Sequence, residues 1–313
     1  MPAIVATDRP QTAAHHDYYE RHGYVVIDGL VPKALIETLL ACYRNQIVPS
    51  RYPFFRQNTN AYEANVLNGH GYVRQSFLDI HDYARFPDFS RYARDVFCHP
   101  AMLAALAEVT GFERFNLMQT MLFDLNAQTP PHQDWYYLDS VPHGNLVAAW
   151  IALEDIDERA GRFYVMPESK RLDFGARGEG RTHAQWLKLI RDYVDAHAEL
   201  VTAPPMARGD VLFWNSRTVH GSLPTRDEAF SRKSLTAHYL PEQFAYGNLF
   251  SAKRDLPYKE YSGVRYYRNQ PDYSVWNRLK FKLKTTAYNY PLLREGLRGV
   301  RDSVNRVLSS GRR

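Results

Sequence analysis

Cysteine is nearly absent from this sequence, since Cys42 and Cys98 are the only two among 313 residues. Two thiols exclude a disulfide framework and a cysteine-rich metal site, and they favour a reducing compartment. The N-terminus has no basic segment followed by an apolar run, so it does not fit a signal peptide. No apolar run approaches the roughly 18–20 residues that a membrane-spanning helix needs. We therefore expect a cytoplasmic protein.

A strong excess of one charge is missing from most of the chain. The net charge is +5, but residues 274–313 contain ten Lys and Arg against two acidic residues, a net charge of +8 that leaves −3 for the rest. The basicity therefore belongs to the C-terminal segment. A basic surface spread over the protein, as nucleic-acid binding would require, is not indicated. We expect no nucleic-acid partner.

Aromatic residues, by contrast, make up 14% of the chain, a content that suits sheets and polar-lined pockets. The pattern over residues 1–113 predicts mainly helices. In residues 114–245, short apolar runs such as FNLMQTMLFDL and DVLFWNS alternate with turn residues, which predicts a jelly roll. We therefore predict a mainly β protein with flanking helices. It would have a single domain over residues 1–245 and a basic, partly amphipathic extension over residues 246–313.

The segment PPHQDWYYLD, residues 130–139, contains a candidate metal-binding pair. In a strand, side chains at i and i+2 point the same way, so His132 and Asp134 would project into one space. The spacing is weak evidence on its own, because His15 and Asp17 share it and are expected to be surface residues. A metal site, a hydrogen-bonded pair and a chance match are all compatible with it.

Two residues further along the chain strengthen the metal interpretation. His220 follows the predicted strand DVLFWNS, and in a jelly roll it can reach His132 and Asp134. Two imidazoles and one carboxylate occupy one face of an octahedral metal and leave three positions open, as in non-haem Fe(II) oxygenases. Arg232, at the start of another predicted strand, presents a guanidinium that can bind a carboxylate bidentately. A dicarboxylate cosubstrate needs such a residue.

In their sequence context these residues resemble the phytanoyl-CoA dioxygenase family of Fe(II)/2-oxoglutarate-dependent dioxygenases. The resemblance spans roughly residues 15–242, and its main segments are PPHQDWYYLD, VAAWIALEDIDERAGRFYVMPESK and GDVLFWNSRTVHGSLPTRDEAFSRKSLTAHYLP. It implies a double-stranded β-helix (jelly roll, cupin-like) that uses Fe(II), 2-oxoglutarate and O2. The iron ligands implied by the resemblance are His132, Asp134 and His220. The cosubstrate-binding residues implied by it are Arg232, Gln133, Trp150 and Ser169.

Arg232 and Ser169 differ in how closely they match the sequence pattern of the family. Arg232 matches the arginine that binds the distal carboxylate of 2-oxoglutarate in the family. Ser169 lies in a PES sequence where family members often have PGS, and Lys170 follows where a histidine is common. The turn containing Ser169 therefore departs from the family pattern.

The resemblance also bears on the type of reaction. Iron halogenases of this architecture have Ala or Gly in place of the carboxylate ligand, whereas Asp134 is present here. We therefore expect hydroxylation of an unactivated C–H bond of a small or a lipid- or glycan-linked substrate, with release of succinate and CO2. One alternative is a non-catalytic metal-binding jelly roll, and another is a metal-dependent oxidase that does not use 2-oxoglutarate.

Substrate contacts are expected from two places. Trp135, Tyr136 and Tyr137 follow the metal pair directly, and at least one of them is expected to face the substrate. Arg74 belongs to a polar, aperiodic stretch, residues 51–76, which we interpret as a lid over the site. Seven other histidines show no ligand spacing and are expected to be structural or exposed: His22, His81, His99, His143, His183, His197 and His238.

The basic segment 274–313 predicts helix, with Leu293, Leu297 and Val300 at spacings of three and four. Its first part, VWNRLKFKLK, intersperses apolar with basic residues. A basic amphipathic helix can lie on an anionic membrane, which would bring the protein to the inner membrane surface. The same helix could pack its apolar face on the protein body, and the sequence leaves both alternatives open.

Overall fold

The computed structural model describes residues 15–175, 181–248, 252–253, 255–290 and 296. The α-helices in this part of the chain are α1 (His15–His22), α2 (Lys33–Cys42), α3 (Pro87–Phe97), α4 (Pro100–Thr110), α5 (His183–Ala196) and α6 (Val275–Asn289). The strands are β1 (Tyr24–Ile27), β2 (Phe54–Arg56), β3 (Ala61–Glu63), β4 (Phe77–Leu78), β5 (Phe115–Phe123), β6 (Leu138–Val141), β7 (Val147–Ala152), β8 (Phe163–Val165), β9 (Val211–Asn215), β10 (His220–Ser222), β11 (Ser234–Pro241), β12 (Ala245–Asn248), β13 (Ala252–Lys253), β14 (Lys259–Tyr261) and β15 (Val264–Tyr266).

Eight strands form the main sheet, in the order β1-β9-β7-β11-β5-β15-β14, with β4 paired to β5. The central strands β7, β9 and β11 are buried along their whole length, although β11 also carries the polar residues Ser234, Thr236 and His238. The side chains of successive residues in a strand point to opposite faces of the sheet. Ala149 and Phe213 join the core under the helices, whereas Trp150 and Trp214 belong to the cluster on the other face.

Helices α2, α3 and α4 cover one face of the main sheet. Their buried residues Leu39, Val96 and Leu106 share a core with apolar side chains of the sheet, and each such burial contributes about 1.5–3 kcal/mol. These helices lie within residues 1–113, where helix was predicted. That part of the chain also supplies β1, which pairs with β9 and so belongs to the sheet itself.

Shorter strands form the second layer of the jelly roll. Strand β6 pairs with β12, which pairs with β13, while β8 pairs with β10. His132 and His220 form a β-bridge beside them. Residues of both layers, among them Trp150 of β7 and Phe163 of β8, line one cavity. The two layers therefore enclose a site, as the predicted double-stranded β-helix requires.

The main sheet continues past residue 245, the predicted end of the domain. Strand β15 pairs in parallel with β5, and β14 pairs with β15. Residues 259–266 are therefore part of the folded core and not of an extension. Strands of three residues are too short to give a periodic signal, so the sequence pattern did not reveal them.

Helix α6 is the described part of the basic C-terminal segment. Phe281 packs against Phe55 with ring centroids 4.5 Å apart, while Trp276, Leu279 and Leu283 are exposed. One side of this helix thus packs on the protein body. The helical pattern from Leu293 onward falls outside the described residues. In the described part of the chain, no helix is both long enough and apolar enough to cross a membrane.

Candidate active site

A cavity of about 490 Å³ lies between the two layers of strands. Its inner part contains the buried side chains of His132, Asp134 and His220. Its opening is marked by exposed lining residues, including Asn58 and Asn60 of the β2–β3 turn. The structure therefore brings together three residues that are up to 88 positions apart, from 132 to 220.

The two histidines are positioned by their own backbones, because each N–H donates to the other residue's carbonyl oxygen at 3.0 Å. Nδ1 of His132 lies 2.9 Å from the carbonyl oxygen of Pro130, and Nδ1 of His220 lies 2.9 Å from that of Thr218. A carbonyl oxygen only accepts, so both rings are assigned their proton on Nδ1. Each Nε2 then directs a lone pair toward Asp134, as a metal-binding imidazole does.

Asp134 begins a 3₁₀ turn, Asp134–Tyr136, instead of continuing a strand. The predicted extended geometry therefore holds at His132, which forms a β-bridge, and at Gln133, but not at Asp134, whose side chain nevertheless faces both imidazoles. Its Oδ1 lies 3.5 Å from Nε2 of His132 and 3.5 Å from Nε2 of His220. The three ligand atoms lie within 4.8 Å of one another. This spacing suits a divalent ion with bonds of about 2.0–2.2 Å to nitrogen and oxygen.

The charge state of the cluster also suits a divalent cation. Burial raises the pKa of Asp134, but the charges and hydrogen bonds of the neighbouring imidazoles, His220, His238 and His132, together lower it by more, so its pKa lies well below the usual range. Burial lowers the pKa of His132, and the neighbouring His220 lowers it further. With a cation bound, the set would offer one carboxylate and two imidazole nitrogens, which is the donor chemistry of non-haem iron sites.

Trp214 holds the other oxygen of Asp134, and His238 lies next to it. The indole Nε1 of Trp214 donates a hydrogen bond to Oδ2 at 2.9 Å, and Nε2 of His238 lies 3.3 Å from the same atom. Oδ1 is thereby left to face the two imidazoles. Such outer contacts orient a ligand and tune its affinity for metal.

His238 was expected to be structural or exposed, and instead it lines the cavity. Strand β11 carries Thr236 and His238 at even spacing from Arg232, and all three line the cavity. The alternation of side chains along a strand was therefore a signal that could have identified His238 once Arg232 was chosen.

We predict that Trp214→Phe weakens metal binding about tenfold to a hundredfold, because Oδ2 of Asp134 loses its donor. The indole lies in a packed cluster, so phenylalanine keeps most of the packing. The measurement is a competition titration with a chelator of known affinity. Trp186→Phe is the matched control, since Nε1 of Trp186 is buried without a hydrogen-bond partner among the described residues. Equal metal affinities of the two variants would contradict the role assigned to Trp214.

Arg232 lies in the same cavity and is 2% exposed. Nη1 donates to the carbonyl oxygen of Gly161 at 3.1 Å and to Oγ of Ser222 at 2.9 Å. Nε has no hydrogen-bond partner among the described residues. Burial lowers the pKa of this guanidinium to about 9. A buried cation with an unused donor is costly unless an anion binds it, so this position suits a carboxylate ligand.

The structure places one of the other three predicted cosubstrate residues in the cavity lining and the other two outside it. Trp150 lines the cavity, and its ring centroid lies 6.0 Å from the guanidinium carbon of Arg232. Gln133 is fully buried away from the cavity lining, where its Nε2 donates to the carbonyl oxygen of Arg217 and its Oε1 accepts from Nε1 of Trp135. A side chain that binds backbone carbonyl oxygens in this way positions the loop between the metal residues and does not face the cosubstrate.

Ser169 is placed behind His220 and does not line the cavity. Its hydroxyl accepts a hydrogen bond from the N–H of Val219 at 2.8 Å. On the other side, Gly221 has no space for a Cβ, because the ring atoms of Tyr164 would lie 2.8–3.1 Å from it. These two contacts fix the chain on either side of His220, so Ser169 has a positioning role in the structure.

Among the three predicted substrate aromatics, Tyr137 alone lines the cavity. Its hydroxyl lies 2.7 Å from Nε2 of His183, another cavity residue that the sequence pattern did not reveal. Tyr136 stacks on Trp186 with centroids 4.1 Å apart, which buries it in the core under α5. Trp135 is buried and hydrogen-bonded to Gln133. The turn at Asp134 distributes the three rings in different directions.

Arg74 pairs with Glu228 at 2.9 Å and does not line the cavity. The stretch interpreted as a lid divides into two parts. Residues of the β2–β3 turn, including Asn58 and Asn60, line the cavity opening. Asn65 instead uses its amide for the carbonyl oxygens of Ile47 and Val48, at 2.7 and 2.9 Å. Polarity alone did not separate a cavity rim from a hydrogen-bonded loop.

The second His-x-Asp pair shows how little the spacing means by itself. His15 is 6% exposed, not a surface residue as expected, and its Nδ1 lies 2.9 Å from Oε1 of Glu108. Asp17 is exposed on α1. In the described part of the chain, the side chains that converge as a metal site requires are those around His132 and not those around His15.

Residues 19–234 match the family model described as Phytanoyl-CoA dioxygenase. The peroxisomal phytanoyl-CoA dioxygenase of Homo sapiens is 23% identical over 267 residues, which cover 81% of this chain and 75% of that protein. The 1-deoxypentalenic acid 11-beta-hydroxylase of Streptomyces arenae is 24% identical over 248 residues, covering 72% of this chain and 79% of that one.

Solved structures show the same fold. The crystal structure of EctD from S. alaskensis with 2-oxoglutarate and 5-hydroxyectoine superimposes with a TM-score of 0.56 at 18% identity, over 86% of this chain and 93% of that one. The epimerase SnoN in complex with Fe3+, alpha ketoglutarate and nogalamycin RO gives 0.55 at 20% identity, over 84% and 96%. The family match covers more than two thirds of the sequence, including the residues of the cavity's metal cluster. The chain belongs to the phytanoyl-CoA dioxygenase family.

Proposed function

We propose that this protein is a non-haem Fe(II)- and 2-oxoglutarate-dependent dioxygenase that hydroxylates an unactivated C–H bond of a small molecule. The observation that carries the proposal is one cavity that contains both a convergent His132, Asp134 and His220 cluster and a buried Arg232. Family membership supports it, as do the iron and the 2-oxoglutarate named in the structures of SnoN and EctD.

His132, Asp134 and His220 would hold the iron through two Nε2 atoms and Oδ1. When bound, iron supplies the activation of O2 that couples decarboxylation of 2-oxoglutarate, to succinate and CO2, with oxidation of the substrate. The protein's own part is to keep three donors on one face, so that three positions stay open for cosubstrate, O2 and water. The carbonyl oxygens of Pro130 and Thr218 keep both rings in the tautomer that this requires.

Arg232 would bind the distal carboxylate of 2-oxoglutarate. Its contacts to Gly161 and Ser222 hold the guanidinium in place, while Nε remains available to a ligand. The rings of Trp150 and Phe123 lie 6.0 Å from its central carbon and keep water from that side. A charge-assisted contact in such a site is stronger than the same contact in water.

Tyr137 and His183 form the polar part of the cavity wall beside the metal cluster. The rings of Tyr137 and His132 have centroids 5.7 Å apart, so a substrate that contacts Tyr137 lies near the metal site. Helix α5 contributes His183 and Leu187 to this wall. The expected lipid- or glycan-linked substrate and the expected membrane contact remain predictions; the exposed Trp276 and Leu279 of α6 are the described residues that bear on them.

The experiment that tests the proposal is turnover without the natural substrate. Protein loaded with Fe(II) under anaerobic conditions and then mixed with O2 and 2-oxoglutarate is expected to release succinate slowly. When candidate small molecules are added as substrates, a product screen by mass is expected to find one that gains an oxygen. Succinate is quantified by chromatography, with metal-free protein as the control. Iron binding without succinate would favour the non-catalytic jelly roll, and oxidation without 2-oxoglutarate would favour the oxidase.

A further inference from the structure

Exposed apolar side chains are concentrated on one helix of this protein. Helix α6 carries four large hydrophobic residues that are exposed: Val275, Trp276, Leu279 and Leu283. No other helix or strand in the described part of the chain carries more than one such residue. Single exposed apolar side chains are normal on a protein surface, whereas a group of them marks an interaction site.

Three of these residues form a stripe along the helix. Trp276, Leu279 and Leu283 follow one another at spacings of three and four, so their side chains lie on one side of α6. Phe281 is two residues from both leucines, and a step of two residues along an α-helix turns to the other side. That ring packs on Phe55 of the protein body. The helix therefore attaches by one side and presents the stripe to solvent by the other.

The orientation of α6 is fixed by contacts before and within the helix. Ser274 caps the N-terminus, since its Oγ accepts from the N–H of Asn277 at 3.0 Å. The side-chain amide of Asn277 donates to the carbonyl oxygen of Asp272 at 2.8 Å. Tyr273, which precedes the cap, packs edge to face on Tyr62 with ring centroids 5.6 Å apart. The stripe is therefore displayed by an anchored helix.

Positive charges border the stripe on both sides. The helical period places Arg278 and Lys282, four residues apart, along one edge and Lys280 along the other. The ammonium of Lys280 lies 5.2 Å from the centroid of the Trp276 ring. All three cationic residues are exposed, and residues 275–289 contain no acidic residue that could pair with them. The charges therefore complement a partner that is negative around an apolar interior.

A second copy of this chain does not meet that requirement. Two stripes packed face to face would bring the cations of both helices together without an acidic residue of α6 between them, and like charges across an interface oppose association. An anionic bilayer meets it, because its phosphates lie at the level of the cations and its acyl chains lie below. Tryptophan is also the residue type that prefers this boundary.

We propose that the stripe of α6 docks the protein on an anionic lipid surface, with Trp276, Leu279 and Leu283 inserted at the headgroup boundary and the flanking cations against the lipid phosphates. This inference goes beyond the proposed function, because it concerns where the protein is held. It requires neither iron nor 2-oxoglutarate, so either proposal can fail without the other.

The test is sedimentation of the full-length protein, with and without Fe(II), in the presence of lipid vesicles. Vesicles of phosphatidylcholine with about 30% phosphatidylglycerol are expected to bind it at least tenfold more tightly than phosphatidylcholine alone. Raising NaCl from about 0.15 to about 0.5 M is expected to weaken that binding. Equal binding to both kinds of vesicle, or binding to neither, would overturn the proposal.

Tryptophan fluorescence reports the insertion directly. Trp276 is 62% exposed, whereas the other four tryptophans of the chain are buried. A blue shift of the emission on addition of anionic vesicles is therefore expected to come from Trp276. Trp276→Phe is expected to lose the shift and still sediment with the vesicles, since phenylalanine keeps an apolar ring at the boundary. Sedimentation of the wild type without any shift would place the contact elsewhere and overturn the assignment.

An apolar double variant tests the stripe itself. Trp276→Gln combined with Leu283→Gln is expected to weaken vesicle binding by about tenfold or more, because two apolar side chains are removed from the lipid. Leu189→Gln combined with Leu200→Gln is the matched control, since these leucines are exposed elsewhere on the surface. Unchanged binding by the stripe variant would assign any lipid contact to another part of the chain.

A charge variant tests the border of the stripe. Arg278→Gln combined with Lys282→Gln is expected to weaken binding by about thirtyfold, since each basic residue near an anionic leaflet contributes about fivefold. Lys33→Gln combined with Arg51→Gln is the control, because it removes two exposed cations outside α6. Equal losses in the two variants would show attraction by net charge alone. A dimer that the stripe variant dissociates, without vesicle binding by the wild type, would assign the stripe to a second copy.

Discussion

Arg232→Leu should weaken 2-oxoglutarate binding by roughly a hundredfold, because removal of one partner from a buried, hydrogen-bonded charge pair costs about 2–5 kcal/mol. Among the described residues, Arg232 has no ion pair and its Nε has no hydrogen-bond partner. The guanidinium therefore contributes to ligand binding more than to the fold. The measurements are the dissociation constant of 2-oxoglutarate and its KM in succinate release.

Metal binding should be nearly unchanged in this variant, since the guanidinium contacts Gly161 and Ser222 and not the metal cluster. Arg226→Leu is the matched control: that arginine lies 3.8 Å from Glu158 at the surface and is expected to leave the affinity for 2-oxoglutarate unaltered. If Arg232→Leu retained wild-type affinity and activity, the cosubstrate assignment would be wrong and an oxidase that does not use 2-oxoglutarate would be favoured.

Asp134→Ala should lower iron affinity by more than about a hundredfold and reduce succinate release in proportion, because loss of a ligand exceeds the tenfold to hundredfold effect of an outer contact. The variant also leaves Nε1 of Trp214 without its acceptor. We therefore expect a loss of about 1–3 kcal/mol in the free energy of unfolding. Metal content after dialysis and thermal unfolding of the metal-free protein measure the two effects separately.

Asp17→Ala provides the control, since it alters the second His-x-Asp pair at an exposed position of α1. It should change neither iron content nor succinate release. Wild-type hydroxylation by iron-loaded Asp134→Ala would remove the carboxylate from the ligand set. A variant that lost turnover but bound iron like the wild type would instead assign Asp134 to a later step than metal binding.

The residue types and the strand pattern were sufficient to predict the jelly roll and the convergence of His132, Asp134 and His220. This prediction was possible because a hydrophobic run of strand length, and a histidine beside it, can both be recognised from residues that are neighbours in the sequence. The same reasoning misplaced Gln133, since its direction depends on the 3₁₀ turn at Asp134 and on carbonyl oxygens that distant segments bring to it. His238 was missed because no nearby residue marks it, although alternation from Arg232 along β11 would have indicated it.

The C-terminal segment likewise has some features that the sequence predicts and others that depend on tertiary contacts. Its basic charge and its tendency to form helix were evident from the sequence, but the sequence left open whether that helix meets a membrane or the protein. The structure packs Phe281 on Phe55 and brings Lys284 to the cavity, while Trp276 stays exposed. Pattern reasoning also did not detect strands β14 and β15, because their position depends on the pairing of β15 with β5 and of β14 with β15, and not on their own residues.

Residue identity and local pattern were enough to establish the functional groups of the site: two imidazoles, one carboxylate and one guanidinium, each in or next to a segment with strand character. Those features depend on residue identity and on neighbours along the chain. Tertiary contacts were needed to show which of Trp135, Tyr136 and Tyr137 faces the cavity, that Trp214 holds Asp134, and that His238 lies beside that carboxylate. Contacts between segments far apart in sequence are set by how the layers pack, and residue spacing does not encode that packing.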